Sequence, residues 1–208
     1  MSTALLQAQA VVCERGGRAL FKPISFDLHA GMAIHLEGDN GAGKTTLMRA
    51  LSGLSPLAQG EVLWRGTVMA QARTAFHADL LYLGHALGLK DELTALENLQ
   101  LSAAVSGQSL GREQGLQALA TQGLKSRAHL PLRVLSQGQK RRVALARLQT
   151  AQAQLWLLDE PFVALDSDAV QVLHGLLRHH LEQGGALLFT SHQAVDLGAS
   201  MQHLRLQA

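Results

Sequence analysis

The sequence predicts an α/β fold built on a parallel sheet with crossover helices, and two patterns carry that expectation. Beyond Ser136, helical stretches alternate with apolar runs: a helix, Leu155–Leu158, a helix over about 168–183, Gly184-Gly185, then Ala186–Thr190. Such alternation implies parallel strands, because successive parallel strands need a crossover between them. Earlier, the apolar run Met32-Ala33-Ile34-His35-Leu36 enters a glycine-rich loop, and Leu47-Met48-Arg49-Ala50-Leu51 leaves it at helical spacing. Strand, glycine loop and helix in that order make one unit of the same architecture.

The elements follow in chain order. Ala4–Val12 reads as a strand bounded by polar residues. Ile24, Phe26 and Leu28 alternate with Ser25, Asp27 and His29, the period of a strand with one face on a core. Glu61–Trp64 has the same character, and Leu80-Leu81-Tyr82-Leu83 is a short apolar run ended by Gly84. From about Asp91 to Leu130 the pattern turns helical: Leu93, Leu96, Leu99 and Leu101 recur at close steps, with Gly107, Gly111, Gly115 and Gly123 between helices. This stretch reads as a helical insertion, about 85–135, between the two parts of one α/β domain, 1–84 and 136–208. No internal repeat or low-complexity tract interrupts the chain.

Composition narrows the function classes. A chain of 208 residues with 47% hydrophobic content can bury a substantial core as one domain. The net charge of +2 is small and, apart from Lys140-Arg141-Arg142, positive residues are scattered, which does not favour a nucleic-acid partner. A single cysteine, Cys13, excludes an internal disulfide and suits a reducing cytoplasm, where it is expected as a packed strand residue. No apolar run approaches a membrane span and no basic segment precedes an apolar core at the N-terminus, so neither a spanning helix nor a signal peptide is expected.

The glycine loop carries the first chemistry. Gly38-Asp39-Asn40-Gly41-Ala42-Gly43-Lys44-Thr45-Thr46 fits G-x-x-x-x-G-K-[ST]. Its glycines let the backbone turn tightly, so that successive N–H groups point at phosphate oxygens at a helix N-terminus. Lys44 offers a positive charge to the β- and γ-phosphates, and the Thr45 hydroxyl is placed to ligate Mg²⁺. The ligand this implies is a nucleoside triphosphate with Mg²⁺. A second piece is the run Leu155–Leu158 ending in Asp159 and Glu160. In open parallel sheets ligands sit beyond the carboxyl ends of the strands, so Asp159 can reach the metal held by Thr45. Glu160, one residue on, can orient or deprotonate an attacking water. Alone, an acidic pair after a strand is commonly a helix cap or a turn; the phosphate loop in the same chain is what favours catalysis.

Leu135-Ser136-Gln137-Gly138-Gln139 opens a helix with Ser136 at the N-cap and basic residues following. This L-S-x-G-Q run, the Asp159-Glu160 pair, Ala164-Leu165-Asp166 and His192, in that order after the phosphate loop, closely resemble the nucleotide-binding subunit of ABC transporters. The resemblance covers nearly the whole chain; the family usually has glycine where Gln137 stands. It implies a P-loop NTPase core of the ABC ATPase type with an antiparallel β-subdomain and a helical subdomain. It also implies roles: Ser136 and Gly138, beside Gln139, would contact the γ-phosphate bound to an opposite subunit, Asp166 would couple the two sites, and His192 would hydrogen-bond the γ-phosphate. Two copies would then face each other head to tail with ATP between them.

Two further positions depart from the family pattern. His85 stands where a glutamine usually meets Mg²⁺ and senses the membrane partner, and imidazole is a poor substitute for an oxygen ligand of magnesium. Arg15 stands near the position of an aromatic that stacks on adenine, and a guanidinium plane can stack too. Cys13-Glu14-Arg15, Leu83-Gly84-His85, Leu93–Leu99, Arg141–Leu148 and Ala153–Trp156 resemble the haem-exporter branch that serves bacterial cytochrome c maturation. That branch implies integral membrane subunits as partners, a periplasmic haem chaperone as an indirect one, and a peripheral place on the cytoplasmic face of the inner membrane. The chain has no C-x-x-C-H, and its histidines other than His85 and His192 read as isolated or, like His179-His180, on different helix faces, so haem ligation by this subunit is not expected. The same engine on another exporter is the alternative reading. From a different class, a soluble ABC ATPase acting on nucleic acid or ribosomes usually carries two nucleotide domains or a long coiled-coil insertion, and this chain has neither. A module that binds nucleotide without hydrolysis is disfavoured by the joint presence of Lys44, Asp159, Glu160 and His192.

Overall fold

The computed structural model describes residues 3–198 and 200–207. The chain opens with β1 (Leu6–Val12), the two-residue strands β2 (Glu14–Arg15) and β3 (Arg18–Ala19), β4 (Ile24–Leu28) and β5 (Met32–Glu37), then α1 (Lys44–Leu51). There follow β6 (Gln59–Trp64), β7 (Thr67–Val68), α2 (Arg73–Ala78) and β8 (Leu80–Leu83). Next come α3 (Ala95–Val105), α4 (Arg112–Thr121) and α5 (Gln137–Thr150), and finally β9 (Leu155–Leu158), α6 (Ser167–Glu182), β10 (Ala186–Thr190) and β11 (Ser200–Arg205). Packing divides the chain into two compact units, 1–85 with 153–161 and 178–208, and 86–152 with 162–177.

The first unit holds a parallel sheet in the order β11-β5-β10-β9-β8. Strands β9 and β10 are buried along their whole length, which is why they read as unbroken apolar runs and not as alternating ones. Because all five strands point the same way, the residues that follow β5, β8, β9 and β10 emerge on one edge. An antiparallel sheet, β4-β1-β6-β7, packs on the same apolar core, in which Leu6, Leu28, Ile34, Leu47, Met48, Phe76 and Leu188 are buried. The β6–β7 hairpin turns through Arg65 and Gly66 at φ of 49° and 79°, the positive pair that a tight two-residue hairpin demands. Against β6, strand β1 bulges between Gln9 and Val12; opposite, a Cβ on Gly60 would fall 2.4 Å from the Gln9 and Ala10 carbonyl oxygens, so only glycine fits. The strand β11 was not expected from the sequence. It adds at the edge beside β5.

The second unit is helical. Leu96, Leu99, Leu119, Leu124, Leu132 and Val143 form its core, and α5 packs on both α3 and α4. This unit therefore takes in α5 and 162–177, beyond the 85–135 insertion expected from the sequence. Helix α3 starts at a capping box: the Thr94 hydroxyl accepts from Glu97 N at 3.2 Å and Glu97 Oε2 accepts from Thr94 N at 2.8 Å. Those bonds hold the Glu97 carboxyl below its ordinary range. Buried Asn98 ties the preceding loop down, accepting from Lys90 N at 2.8 Å and donating to Lys90 O at 3.0 Å.

One buried histidine in the first unit sets an acid limit. The His180 ring stacks on Trp156 with centroids 3.7 Å apart, and its Nε2 lies 3.2 Å from Ala186 O. A side chain on Gly185 would collide with that ring, its Cβ 2.2 Å from an imidazole carbon. Burial lowers the His180 pKa from 6.5 to about 4 against the raising effect of its hydrogen bonds. The unfolded chain thus takes up this proton first. The stabilisation is complete above pH 6.5 and is lost as pH falls towards 4, by up to about 3 kcal/mol. Melting temperature should accordingly drop less between those pH values in His180→Gln than in the parent. Equal slopes would place the acid sensitivity elsewhere.

Candidate nucleotide site

The loop 38–43 leaves β5 and enters α1 at Lys44. Gly38, Gly41 and Gly43 have φ of 151°, 86° and 98°, in the region that side chains avoid. At Gly43 space is short as well: a Cβ would stand 3.0 Å from the Phe21 ring. At Gly41 nothing lies within 4 Å of such a Cβ, so the demand there is purely conformational. Asp39 and Asn40 form the exposed crest, Ala42 N donates to Asp39 O at 3.1 Å, and the Ala42 methyl packs against the core. The Lys44 ammonium folds back over the loop, 2.6 Å from Gly38 O and 3.2 Å from Asp39 O.

The edge of the parallel sheet supplies the rest. Thr45 Oγ1 donates to Asp159 Oδ2 at 2.7 Å, and Thr190 Oγ1 donates to Asp159 Oδ1 at 2.9 Å. The Thr190 hydroxyl in turn accepts from Glu160 N at 2.8 Å. Asp159 is only 2% exposed, yet both its oxygens are bonded, which compensates its burial. Its charge is felt at Tyr82 on β8, whose phenol is raised by burial first and by Asp159 second. Glu160 adopts φ 52°, breaking the strand line at once after Asp159, and its Oε1 lies 3.4 Å from His192 Nε2. Arg15 on β2 donates from Nη2 to Thr46 Oγ1 at 3.3 Å. Together Arg15, residues of the loop, Lys44, Thr45, Thr46, Asp159, Glu160 and His192 line a cleft of about 220 Å³.

Thr190 is the residue that sequence reasoning missed. Its signal was a polar side chain ending a wholly apolar strand that pairs, at Phe189, with Leu158 just before Asp159. His85 is exposed beyond β8, while Cys13 is buried just past the end of β1, where burial raises its thiol pKa.

The remaining expected residues gather in the second unit. Ser136 Oγ accepts from Gln139 N at 3.2 Å and Gln139 Oε1 accepts from Ser136 N at 3.0 Å, a capping box that starts α5. Gly138 lies against the 164–166 segment, where a Cβ would stand 3.2 Å from Ala164 O. Asp166 pairs with Arg142 of α5 and accepts from Ala169 N at 3.0 Å at the start of α6. The body of α5 is thus tied to the start of α6 by an ion pair. Among the described residues no helix is long and apolar enough to cross a membrane.

Comparison with known proteins shows the family. Residues 21–163 match the family described as ABC transporter. The chain is 46% identical to the Cytochrome c biogenesis ATP-binding export protein CcmA of Hahella chejuensis, over 99% of this chain and 97% of that protein. It is 45% identical to the protein of the same name from Nitrosospira multiformis, over 97% and 98% of the two chains. A solved dimeric ATP-binding cassette in a post-hydrolysis state, bound to ADP and Pi, matches it with a TM-score of 0.81 at 22% identity, over 98% of this chain and 97% of that one. The chain belongs to the ABC transporter family, as a subunit that hydrolyses ATP to drive transport.

Proposed function

We propose that this chain powers an exporter serving cytochrome c biogenesis, as the relatives at 45–46% identity are named to do. In this reading two copies close head to tail over ATP, docked on integral membrane subunits at the cytoplasmic face of the inner membrane. Haem export, or release of haem with a periplasmic chaperone, is the work that hydrolysis drives. The observation that carries the catalytic part is the chain of hydrogen bonds from Thr45 through Asp159 and Thr190 to Glu160.

The residues present fit ATP and Mg²⁺. The donors at the cleft floor, Thr45 Oγ1 and Asp159 Oδ2, are both oxygens, which magnesium prefers. Bound there, Mg²⁺ would neutralise charge on the phosphate oxygens. The loop 38–46 would wrap the phosphates with its N–H groups, and Lys44 would exchange its two carbonyl partners for them. Arg15 would lie against the adenine. Glu160 would hold the attacking water, with its backbone fixed by Thr190 and its carboxylate within reach of His192. His192 would also donate to the γ-phosphate. Across the dimer, the partner subunit's Ser136 and Gly138 would meet that phosphate, and Asp166 with Arg142 would pass the state of one site to the other. The dimeric form of the solved cassette supports this pairing.

His85 tests the coupling to the membrane. It is exposed and an imidazole nitrogen is a poor magnesium donor, so it should serve the membrane subunits and not the metal. His85→Ala should leave the Mg²⁺ dependence of the isolated chain nearly unchanged while lowering ATPase activity of the assembled complex and cytochrome c maturation in cells. His85→Gln should retain more, since an amide can hydrogen-bond in the same place. A several-fold weaker Mg²⁺ requirement curve in isolated His85→Ala would make it a metal-site residue. Co-purification with integral membrane subunits separates the exporter reading from action on nucleic acid or ribosomes, and the identity of those subunits separates this exporter from another.

A further inference from the structure

The parallel register of β11 beside β5 sets His203 directly against His35 and Arg205 against Glu37. Alternate residues of a strand share a face, so Glu37 joins the two imidazoles on one side of the sheet. One ligand atom from each of His35, Glu37 and His203 lies within 4.8 Å of the other two. The His35 ring is 6% exposed and stacks on Phe189 at 4.8 Å with 3° between the planes. Its Nε2 is 3.1 Å from Ser191 O, and a carbonyl can only accept, so Nε2 carries the proton. In the neutral ring Nδ1 is then a bare lone pair, and it stands 3.5 Å from Glu37 Oε1. A lone pair facing a carboxylate leaves room for a cation between them, a proton or a metal ion. Glu37 Oε1 takes only a partial answer from His203 Nδ1, which donates to it at 2.7 Å.

We propose that His35 Nδ1, Glu37 Oε1 and His203 Nδ1 form a binding site for a divalent transition-metal ion of the zinc class, with its fourth position open to solvent. Two imidazoles and a carboxylate suit zinc and not magnesium or calcium, which seek oxygen. The bond from His35 Nε2 to a backbone carbonyl is the outer contact that fixes the tautomer of metal-bound histidines. Tetrahedral zinc with bonds near 2.0–2.1 Å spaces its ligands about 3.4 Å apart, close to the 3.5 Å between His35 and Glu37. The 2.7 Å between His203 and Glu37 must open by about 0.7 Å, which the half-exposed His203 side chain can do by rotation once its proton is displaced. An open cleft that also touches Ser191 and Gln193 gives the ion its entrance. Its three ligands are other residues than the magnesium donors Thr45 and Asp159, and its cleft shares Asp39, Lys44 and His192 with the nucleotide cleft.

The test uses the full chain, stripped with chelator and titrated with Zn²⁺ alone by calorimetry, then with Co²⁺ to read the visible absorption of a four-coordinate site. One ion per chain is expected, with a tetrahedral Co²⁺ spectrum. His203→Gln and Glu37→Gln, both at accessible positions, should each weaken Zn²⁺ binding at least ~10-fold and erase that spectrum while leaving the far-ultraviolet circular dichroism unchanged. His85→Ala should bind as the parent does. The proposal is overturned if the parent takes up no Zn²⁺, or if both folded variants bind it as tightly as the parent.

Discussion

Lys44→Ala should lower ATP turnover to background and weaken ATP binding. The side chain supplies one mobile positive charge at the mouth of a loop whose other donors are backbone N–H groups. No neighbour can replace that charge, because Arg15 is engaged with Thr46 and the cleft's other titratable side chains are Asp39, Asp159, Glu160 and His192. Removing a single preorganised donor to developing charge costs ~10²–10³ in rate, and here the donor is also a full charge shared by two phosphates. The fold should survive, since among the described residues the Lys44 ammonium bonds only to the Gly38 and Asp39 carbonyls of the loop itself. Phosphate release and nucleotide binding measured on the variant check both halves. Turnover near that of the parent would mean that the loop does not hold triphosphate as argued.

Glu160→Gln separates binding from cleavage. The amide keeps the size of the side chain and the backbone bond to Thr190, but it cannot accept a proton. Hydrolysis should fall by ~10²–10⁴, as for loss of a general base, with ATP and Mg²⁺ still bound. If nucleotide is shared between two copies, ATP that is not cleaved should hold them together. Size-exclusion chromatography with ATP and Mg²⁺ should then show a dimer where the parent runs as a monomer. An unchanged monomer peak would count against the shared site, even if turnover fell.

Much of this was legible in the chain because the relevant signals are local. The apolar runs of β5, β9 and β10, the turn residues of the phosphate loop and the Ser136–Gln139 cap each depend on neighbours in sequence. Tertiary pairing decided the rest. The segment Ser200–Arg205 carries Gln202, His203 and Arg205 and looks like a tail; only the free edge of β5 makes it a strand. For the same reason His35 and His203 read as isolated histidines, although the register sets them side by side. Thr190 was visible as the end of a strand, but its bonds to Asp159 and Glu160 need β9 and β10 to be neighbours. The width of the helical unit was hidden too, because the apolar face of α5 does not say which helices it meets.

Glu160 sits at φ 52°, a conformation that costs a side-chain-bearing residue of order 1–3 kcal/mol and costs glycine little. Heat resistance and chemistry therefore pull position 160 in opposite directions. A laboratory evolution campaign on this chain that rewarded survival of heating alone would be drawn to glycine or asparagine there. On the role proposed for Glu160, its winners would be tougher proteins that grip ATP and do nothing with it. Any thermostabilised version of this engine has to be selected with its turnover in view.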